Sequence, residues 1–488
     1  MPLGRLATAA AITTLLHGAV NANAAEITDV VDALDTDAAD PFDFHIEPRI
    51  GQSRERGVIA REDGCASCDE PVTSFHRELD FVRVRTTMDV ALQVGLHRNL
   101  EFHATIPFVI SDRTSLEYAG GVTPSNSNVA PSDSRIDADL SPTIRDYYDG
   151  PAGTDDRTQF GTYSFFDVPN DGTRRSGLGD ASFGLAWAPF DDSRNPHVAT
   201  IRLGVDYTAP TGQPARGSNT GVGRGVHELG LSIAASRRVR EFLEPYFALA
   251  FVQPFAAANG LFADSSSASD TRAPGTRFDV TAGTEIVLFS EPESEQHYSW
   301  DLGATFGYTL PGRDYSPLSD ALSRSDCNGT SAAEAGFQDG TDGNAYDPSP
   351  DAVTREDAAC AWVVQQPSNV IDDSSTRRES WRYAHNGITD IEGHGRVGGH
   401  TRFNLQFNRY VEMRMGVSVV WTNAHVITNA DSGRDADGDD IVELDPAPSD
   451  GKAERNPFYN LALDPVGRRF RAEQLVDVTW DVGFAFQF

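Results

Sequence analysis

The sequence is short of positive charge, of cysteine and of long apolar runs, and each shortage removes a class of protein. Lys and Arg number 40 against 72 Asp and Glu, a formal net charge of −32. A chain so acidic does not offer the basic surface that nucleic-acid phosphates require, nor is it drawn to anionic lipid headgroups. After the first residues no stretch reaches the ~18 apolar residues a helix needs to cross a bilayer. Hydrophobic residues make up 39%, a level at which an acidic chain can stay disordered. The regular alternation described below argues against disorder, and a barrel also scores low because only half of each strand is apolar.

The 4 cysteines fall in local pairs, Cys65 with Cys68 and Cys327 with Cys360. In an exported chain the default reading is two loop disulfides. Cys65-Ala66-Ser67-Cys68 also has the spacing of a redox site or of half a metal site. No His follows Cys68, which excludes c-type haem attachment, and no second CxxC completes a zinc site. Gly-x-Ser-x-Gly and His-Glu-x-x-His are absent as well, which removes two common hydrolase signatures.

What is present begins with Arg5, the apolar run Ala7 to Leu16, and Ala22-Asn23-Ala24 before Ala25. These read as a secretory signal peptide over residues 1–24, the alternative being a buried N-terminal helix. Residues 25–41 are acidic and Ala-rich and are expected to form a mobile periplasmic leader.

The rest, 42–488, is dominated by period-two alternation. In the last stretch Val476, Val478, Trp480, Val482, Phe484, Phe486 and Phe488 alternate with Leu475, Asp477, Thr479, Asp481, Gly483, Ala485 and Gln487. A strand sends these sets to opposite faces. Met88 to Leu96 and Leu100 to Phe108 repeat the pattern around His97-Arg98-Asn99, a β-hairpin. Further alternating runs end in short turns near Asp191, Arg237 and Asn408, whereas long polar loops occupy 112–176, 311–395 and 428–473. Short turns opposite long loops, with apolar and aromatic residues on one face, are the mark of a membrane barrel. The expected fold is all-β: a transmembrane antiparallel up-and-down β-barrel of about 12 strands, with short periplasmic turns and long extracellular loops. A weak first strand between Phe42 and Ser53 completes the even count. A soluble β-sandwich or solenoid is the rival, and it leaves the unequal loops unexplained.

Gly177-Leu178-Gly179-Asp180, leading into a strand, resembles a motif of bacterial outer-membrane barrels named after the meta-cleavage pathway of phenol degradation. Pro210-Thr211-Gly212 and the turn His97-Arg98-Asn99-Leu100-Glu101-Phe102 are similar to other steps of that family. The likeness spans roughly residues 79–310 and the final strand. It implies a transporter-like barrel that passes or binds small molecules. The terminal Phe488 likewise resembles the assembly signal at the end of outer-membrane barrels.

Parity assigns Arg83, Arg85, Asp89, Glu101, His103, Asp206, Asp279, Glu285, Asp301, Arg402, Arg414, Asp477 and Asp481 to the lumen. Such charges either line a mildly cation-preferring passage or close it through Arg–carboxylate networks. Catalysis needs a hydroxyl beside an oriented base. His103 and Thr105 share a face without an evident third partner, and His400-Thr401-Arg402 puts no hydroxyl on the face of His400. The chain is therefore expected not to be an enzyme, with an outer-membrane hydrolase as the remote alternative. Asp435, Asp437, Asp439 and Glu443 have an oxygen-rich spacing suited to Ca²⁺. Gly433 holds the first ligand position of an EF-hand and breaks that pattern, so a solvated acidic loop is the competing reading. No other cofactor is expected. The sequence thus points to a channel or transporter for small molecules in the cell outer membrane. Its partners would be the surrounding lipid and lipopolysaccharide, the barrel-assembly machinery and small solutes, and not nucleic acid. A closed structural or binding barrel acting through its loops is the alternative.

Overall fold

The computed structural model describes residues 25–31, 44–64, 73–124, 127, 129, 168–192, 197–215, 219–257, 262, 273–291, 295–322, 387–431, 433, 456, 463–464, 466–467 and 469–488. In it the alternating segments pair into a closed barrel of 12 antiparallel strands. They are β1 (Phe44–Gly64), β2 (Thr73–His97), β3 (Leu100–Tyr118), β4 (Ser182–Phe190), β5 (Thr200–Thr208) and β6 (Val226–Ser236). Then follow β7 (Leu243–Ala256), β8 (Arg277–Glu291), β9 (Gln296–Thr309), β10 (His394–Asn408), β11 (Val411–Thr422) and β12 (Phe470–Gln487). Each barrel strand pairs with its predecessor, and β12 closes on β1 through Ile46↔Phe486, Gly51↔Asp481 and Glu55↔Asp477. At the lower end of this seam Phe44 and Phe488 exchange backbone hydrogen bonds of 3.2 and 3.0 Å. Through the belt, closure leaves no sheet edge among the described residues, and the ladders are satisfied within the barrel.

At one end the connections are short. Between β2 and β3 only Arg98 and Asn99 intervene, with Asn99 at φ 53 supplying the left-handed residue the turn needs. At the other end the long connections carry accessory pairings, among them Gly312–Tyr315 with Ile388–Ile391.

The outer surface divides into a belt around the whole barrel and an upper band carried by four of its strands. In the lower band the outer face is apolar: Leu185, Trp187, Val205 and Phe306 are 47%, 49%, 50% and 56% exposed. The same strands send Ala186, Arg202 and Asp206 inward, where they are buried. Phe242, Tyr410 and Phe488 stand exposed at the short-turn end, and Tyr207, Tyr308 and Trp421 towards the long-loop end. Aromatic girdles on either side of an apolar belt fit a bilayer and its two interfaces.

β1, β2, β3 and β12 rise above this belt. They hold 21, 25, 19 and 18 residues, where about 9–11 suffice to cross a bilayer. In the upper band Arg54, Arg56, Arg77, Asp80, Arg113 and Glu117 point outward and are exposed. Inside lies an apolar cluster of Ile59, Leu79, Phe81, Leu116, Phe470 and Leu475, joined by Leu318, Ile427 and Leu463.

Bulges help set the change of face. Against β2, Ile110 drops out of register as Thr86 pairs Ser111 and Thr87 pairs Val109. Even residues of β3 face out below this point and odd residues above it, so Asp112 turns inward. On β12 the register breaks opposite Arg56 and Val58, and Gln474 has φ 51. The change of outer solvent on β1 and the Ile110 bulge on β3 explain two departures from the sequence expectation. The first strand extends to Gly64 rather than stopping near Ser53, and β3 continues to Tyr118 through what reads as the start of a loop at 112. A bulge inserts one residue and so erases the period on which such a reading depends.

Candidate functional site

The inward faces build a ladder of charge pairs through the belt. Low in the barrel, Arg414 of β11 donates to Glu47 Oε2 and Glu412 Oε2, both at 2.9 Å, and Arg49 donates to Glu47 Oε1 at 2.5 Å. Towards β5, His103 lies between two carboxylates, with Nδ1 2.9 Å from Glu101 and Nε2 2.7 Å from Asp206. On the opposite wall the Tyr246 hydroxyl donates to Asp301 Oδ1 at 2.7 Å, and His400 Nε2 lies 3.0 Å from Asp301 Oδ2. Arg396 donates to Asp279 at 2.9 Å. Higher up, Arg83 grips both oxygens of Asp112 at 2.9 and 2.6 Å, with Arg85 at 3.6 Å from the same group. Arg224 bridges Glu228 and Asp314, while Arg277 reaches Glu228 at 3.0 Å. The small residues between these groups make room for them. A Cβ on Gly184 would overlap the His103 ring and Asp206, and one on Gly303 would overlap His400 and the Tyr246 hydroxyl.

Arg83, Arg85, Asp89, Glu101, His103, Asp206, Asp279, Glu285, Asp301, Arg402, Arg414, Asp477 and Asp481 all lie on inward positions of their strands. The fold gathers Glu101, His103 and Asp206 into one cluster and sets Asp301 beside His400 and Tyr246. Asp89, Asp477 and Asp481 instead flank β1, where Glu55 pairs in register with both Asp477 and Arg83. Sequence reading missed Glu47, Arg49 and Glu55 because β1 was only partly legible, and Asp112 because the Ile110 bulge moves it inward. Tyr246 was within reach: it alternates with Phe247 and Leu249, which face outward. Its meeting with His400 was not, since 154 residues separate the two.

His103 has a carboxylate at each ring nitrogen. That leaves neither nitrogen to take a proton from a hydroxyl, so this histidine lacks the geometry of a general base for nucleophilic attack.

Both ends of the ladder meet further chain. Residues 25–31, expected to be part of a mobile leader, lie against the inner wall near the short-turn end. Glu26–Thr28 forms one 3-10 turn. Thr28 Oγ1 is 2.7 Å from Ser236 Oγ, the Val31 amide donates to Glu101 Oε2 at 2.9 Å, and Val30 packs with Ala186 and Ala188. At the other end the apolar cluster takes in Leu318, Ala321 and Leu322 around the short helix Ser319–Leu322.

The motifs that resemble a barrel family clasp one another above β4 and β5. Asp180 accepts from the amides of Gly212 at 2.9 Å and Arg224 at 2.7 Å. Thr211 donates to the Gly179 carbonyl at 3.1 Å and accepts from the Ala181 amide at 2.8 Å. The glycines are spatial requirements, because a Cβ on Gly179 would press on Pro107 and one on Gly212 on the Leu178 carbonyl. Cys65, Cys68, Cys327 and Cys360 lie outside the described residues, as do Asp435, Asp437, Asp439 and Glu443 and residues 1–24.

No protein-family profile matches the chain, and no curated protein matches it. The likeness to the phenol meta-cleavage barrels therefore rests on the clasped motifs and the His97–Phe102 turn alone. Among solved structures the chain is similar to an outer-membrane channel from Pseudomonas putida F1, at 10% identity over 91% of this chain and 95% of that one, with a TM-score of 0.36. It is also similar to a deletion mutant of the TodX monoaromatic hydrocarbon channel, at 9% identity over 96% and 93% and a TM-score of 0.31. A Pseudomonas aeruginosa FadL homologue aligns at 8% identity over 95% and 92%, with a TM-score of 0.29. At such scores the fold stands on the chain's own strand pairing.

Proposed function

We propose that the protein is a channel for small molecules in the outer membrane. One observation carries the reading: a closed barrel whose apolar outer belt surrounds an inner face that is polar and charged over the same height. Lipid and lipopolysaccharide would surround the belt, and the assembly machinery would read the strand ending at Phe488. On the β12–β1–β2 wall Glu55, Asp89, Asp477 and Asp481 alternate with Arg49, Arg83 and Arg85, and the small excess of acid would favour cations weakly over anions.

A second reading has its own support. The segment 25–31 and the apolar cluster occupy opposite ends of the ladder, which favours a barrel closed at rest and acting through its outer loops. Planar-bilayer recording separates the two. A channel gives ohmic, weakly cation-selective current, and deletion of residues 25–31 raises it. Folded protein that passes no current, with or without that segment, sinks the channel reading.

A further inference from the structure

The backbone nitrogen of Ala25 lies 2.6 Å from Glu244 Oε1, and Ser236 donates to that same oxygen at 2.6 Å. Ala25 and Glu244 are 1% and 2% exposed. The cation nearest this carboxylate is Arg238, whose Nε stands 3.6 Å from Oε2, and the Arg238 backbone amide is turned to Asp192. Ala25 is also the residue that follows the small-x-small sequence Ala22-Asn23-Ala24, the kind of site at which exported chains are cut.

These facts have different chemical meanings in the cut and uncut chain. While residue 24 is attached, the Ala25 nitrogen is a neutral amide with one proton to donate. Hydrolysis by a processing protease adds water across the Ala24–Ala25 bond, leaving a carboxylate on Ala24 and an amine on Ala25. An α-amine with an ordinary pKa of about 7.7–8.0 takes up a proton at neutral pH. The nitrogen then carries a full positive charge and three donors, set against a buried carboxylate. Charge-assisted contacts of this kind are roughly twice as strong as neutral ones.

We propose that removal of residues 1–24 creates an α-ammonium at Ala25 that latches onto Glu244 inside the barrel, so that processing turns a neutral contact of the seated N-terminal segment into a charged one. The rest of the segment is built to follow. Thr28 closes the turn on the Ala25 carbonyl through its amide at 2.8 Å and its hydroxyl at 3.0 Å. With Ser236 donating to Glu244, the single Thr28 hydroxyl proton is shared between the Ala25 carbonyl and Ser236 Oγ, and Val31 is held by Glu101. The latch thus ties β6 and β7 to β3 across the inner wall. It does not depend on whether the barrel conducts.

Amine labelling tests it with unusual economy, because the sequence holds a single lysine, Lys452. The mature chain then has two amines, distinguishable by peptide mass. Protein purified from the envelope should begin at Ala25, and an amine-reactive ester at neutral pH should label Ala25 at least about tenfold more slowly in the folded barrel than after unfolding. Glu244→Gln should abolish most of that protection, whereas Ser236→Ala, which leaves the carboxylate in place, should retain it. A mature N-terminus at another residue, equal labelling of Ala25 in folded and unfolded wild-type protein, or protection unchanged in Glu244→Gln would each overturn the latch. The folded-against-unfolded comparison needs no variant and decides the question even if Glu244→Gln fails to fold.

Discussion

The belt and the rim above it are built from the same strands with opposite chemistry. In the belt β2 and β3 carry Val90, Ile106 and Phe108 outward, with Asp89 and His103 inward. A few residues higher the same strands carry Arg77, Arg113 and Glu117 outward, with Leu79 and Leu116 inward. The difference follows from the solvent. Against lipid an apolar outer face costs nothing and the polar groups collect inside, where they pair. Above the lipid the outer face meets water, and the hydrophobic effect again drives apolar side chains to the interior. The upper band is therefore held together like a soluble barrel, and the lower by ion pairs and backbone ladders.

The most severe test of this contrast is Arg414→Ala. It leaves Glu47 and Glu412, 1% and 3% exposed, without the cation between them. Breaking a buried network in this way costs about 3–5 kcal/mol, against ~0–1 kcal/mol for a solvated pair. Unfolding from detergent micelles measures the difference. A loss near the lower figure would mean that water fills the lumen at this height.

Leu79→Ala probes the other region. Leu79 is fully buried beside Phe81, Leu116 and Phe470, so its truncation should cost about 2–5 kcal/mol through lost transfer energy and the cavity left behind. The upper band should also open earlier than the belt in hydrogen exchange. Should Leu79→Ala prove neutral, the rim is not a packed core and the comparison fails.

The outer faces can be compared by a matched pair of substitutions. Val205→Arg places a charge on the belt and should cost about 2–4 kcal/mol in lipid. Arg77→Leu removes a charge from the rim and should change stability by less than about 0.5 kcal/mol. If both have the same effect, the border between the bands is not where the outward charges place it.

How much of this was legible in the sequence depended on period. Between Met88 and Phe108, and from Leu475 to Phe488, one solvent lies on each side of the sheet throughout, so alternation survives and strand, face and lumen residues can be read off. Above Ser53 on β1 and beyond Ile110 on β3 the outer solvent changes, and on β3 a bulge also shifts parity, so the pattern dissolves although the strand continues. The segment 25–31 shows no period because one short turn and a few backbone contacts place it. Asp206 could be assigned to the lumen from its neighbours, but its meeting with His103 is set by closure of the sheet. Pairing partners belong to the fold, and only the inward face belongs to the sequence.

The smallest expected effect lies at the rim, in a pair whose carboxylate is buried and whose guanidinium reaches solvent. Glu62, near the upper end of β1, accepts from Arg469 Nε at 2.8 Å and Nη2 at 2.9 Å, and from the Gly467 amide at 2.9 Å. Burial works to raise its pKa, yet the Arg469 fork and the amide together hold it below the ordinary 4.5. A carboxyl whose folded pKa is depressed binds more protons when unfolded. Its contribution to stability is therefore complete above the unfolded value and is lost as pH falls through the folded one. Wild type should be more stable than Glu62→Gln at neutral pH, and the gap should narrow between about pH 5 and pH 3. Arg414→Ala offers the contrast: it takes one cation from two buried carboxylates, Glu47 keeping Arg49, so acid that neutralises them should relieve that variant relative to wild type. Measuring both variants over one pH series distinguishes the rim pair, whose carboxylate is buried but whose Arg469 reaches solvent, from the belt network buried on both sides.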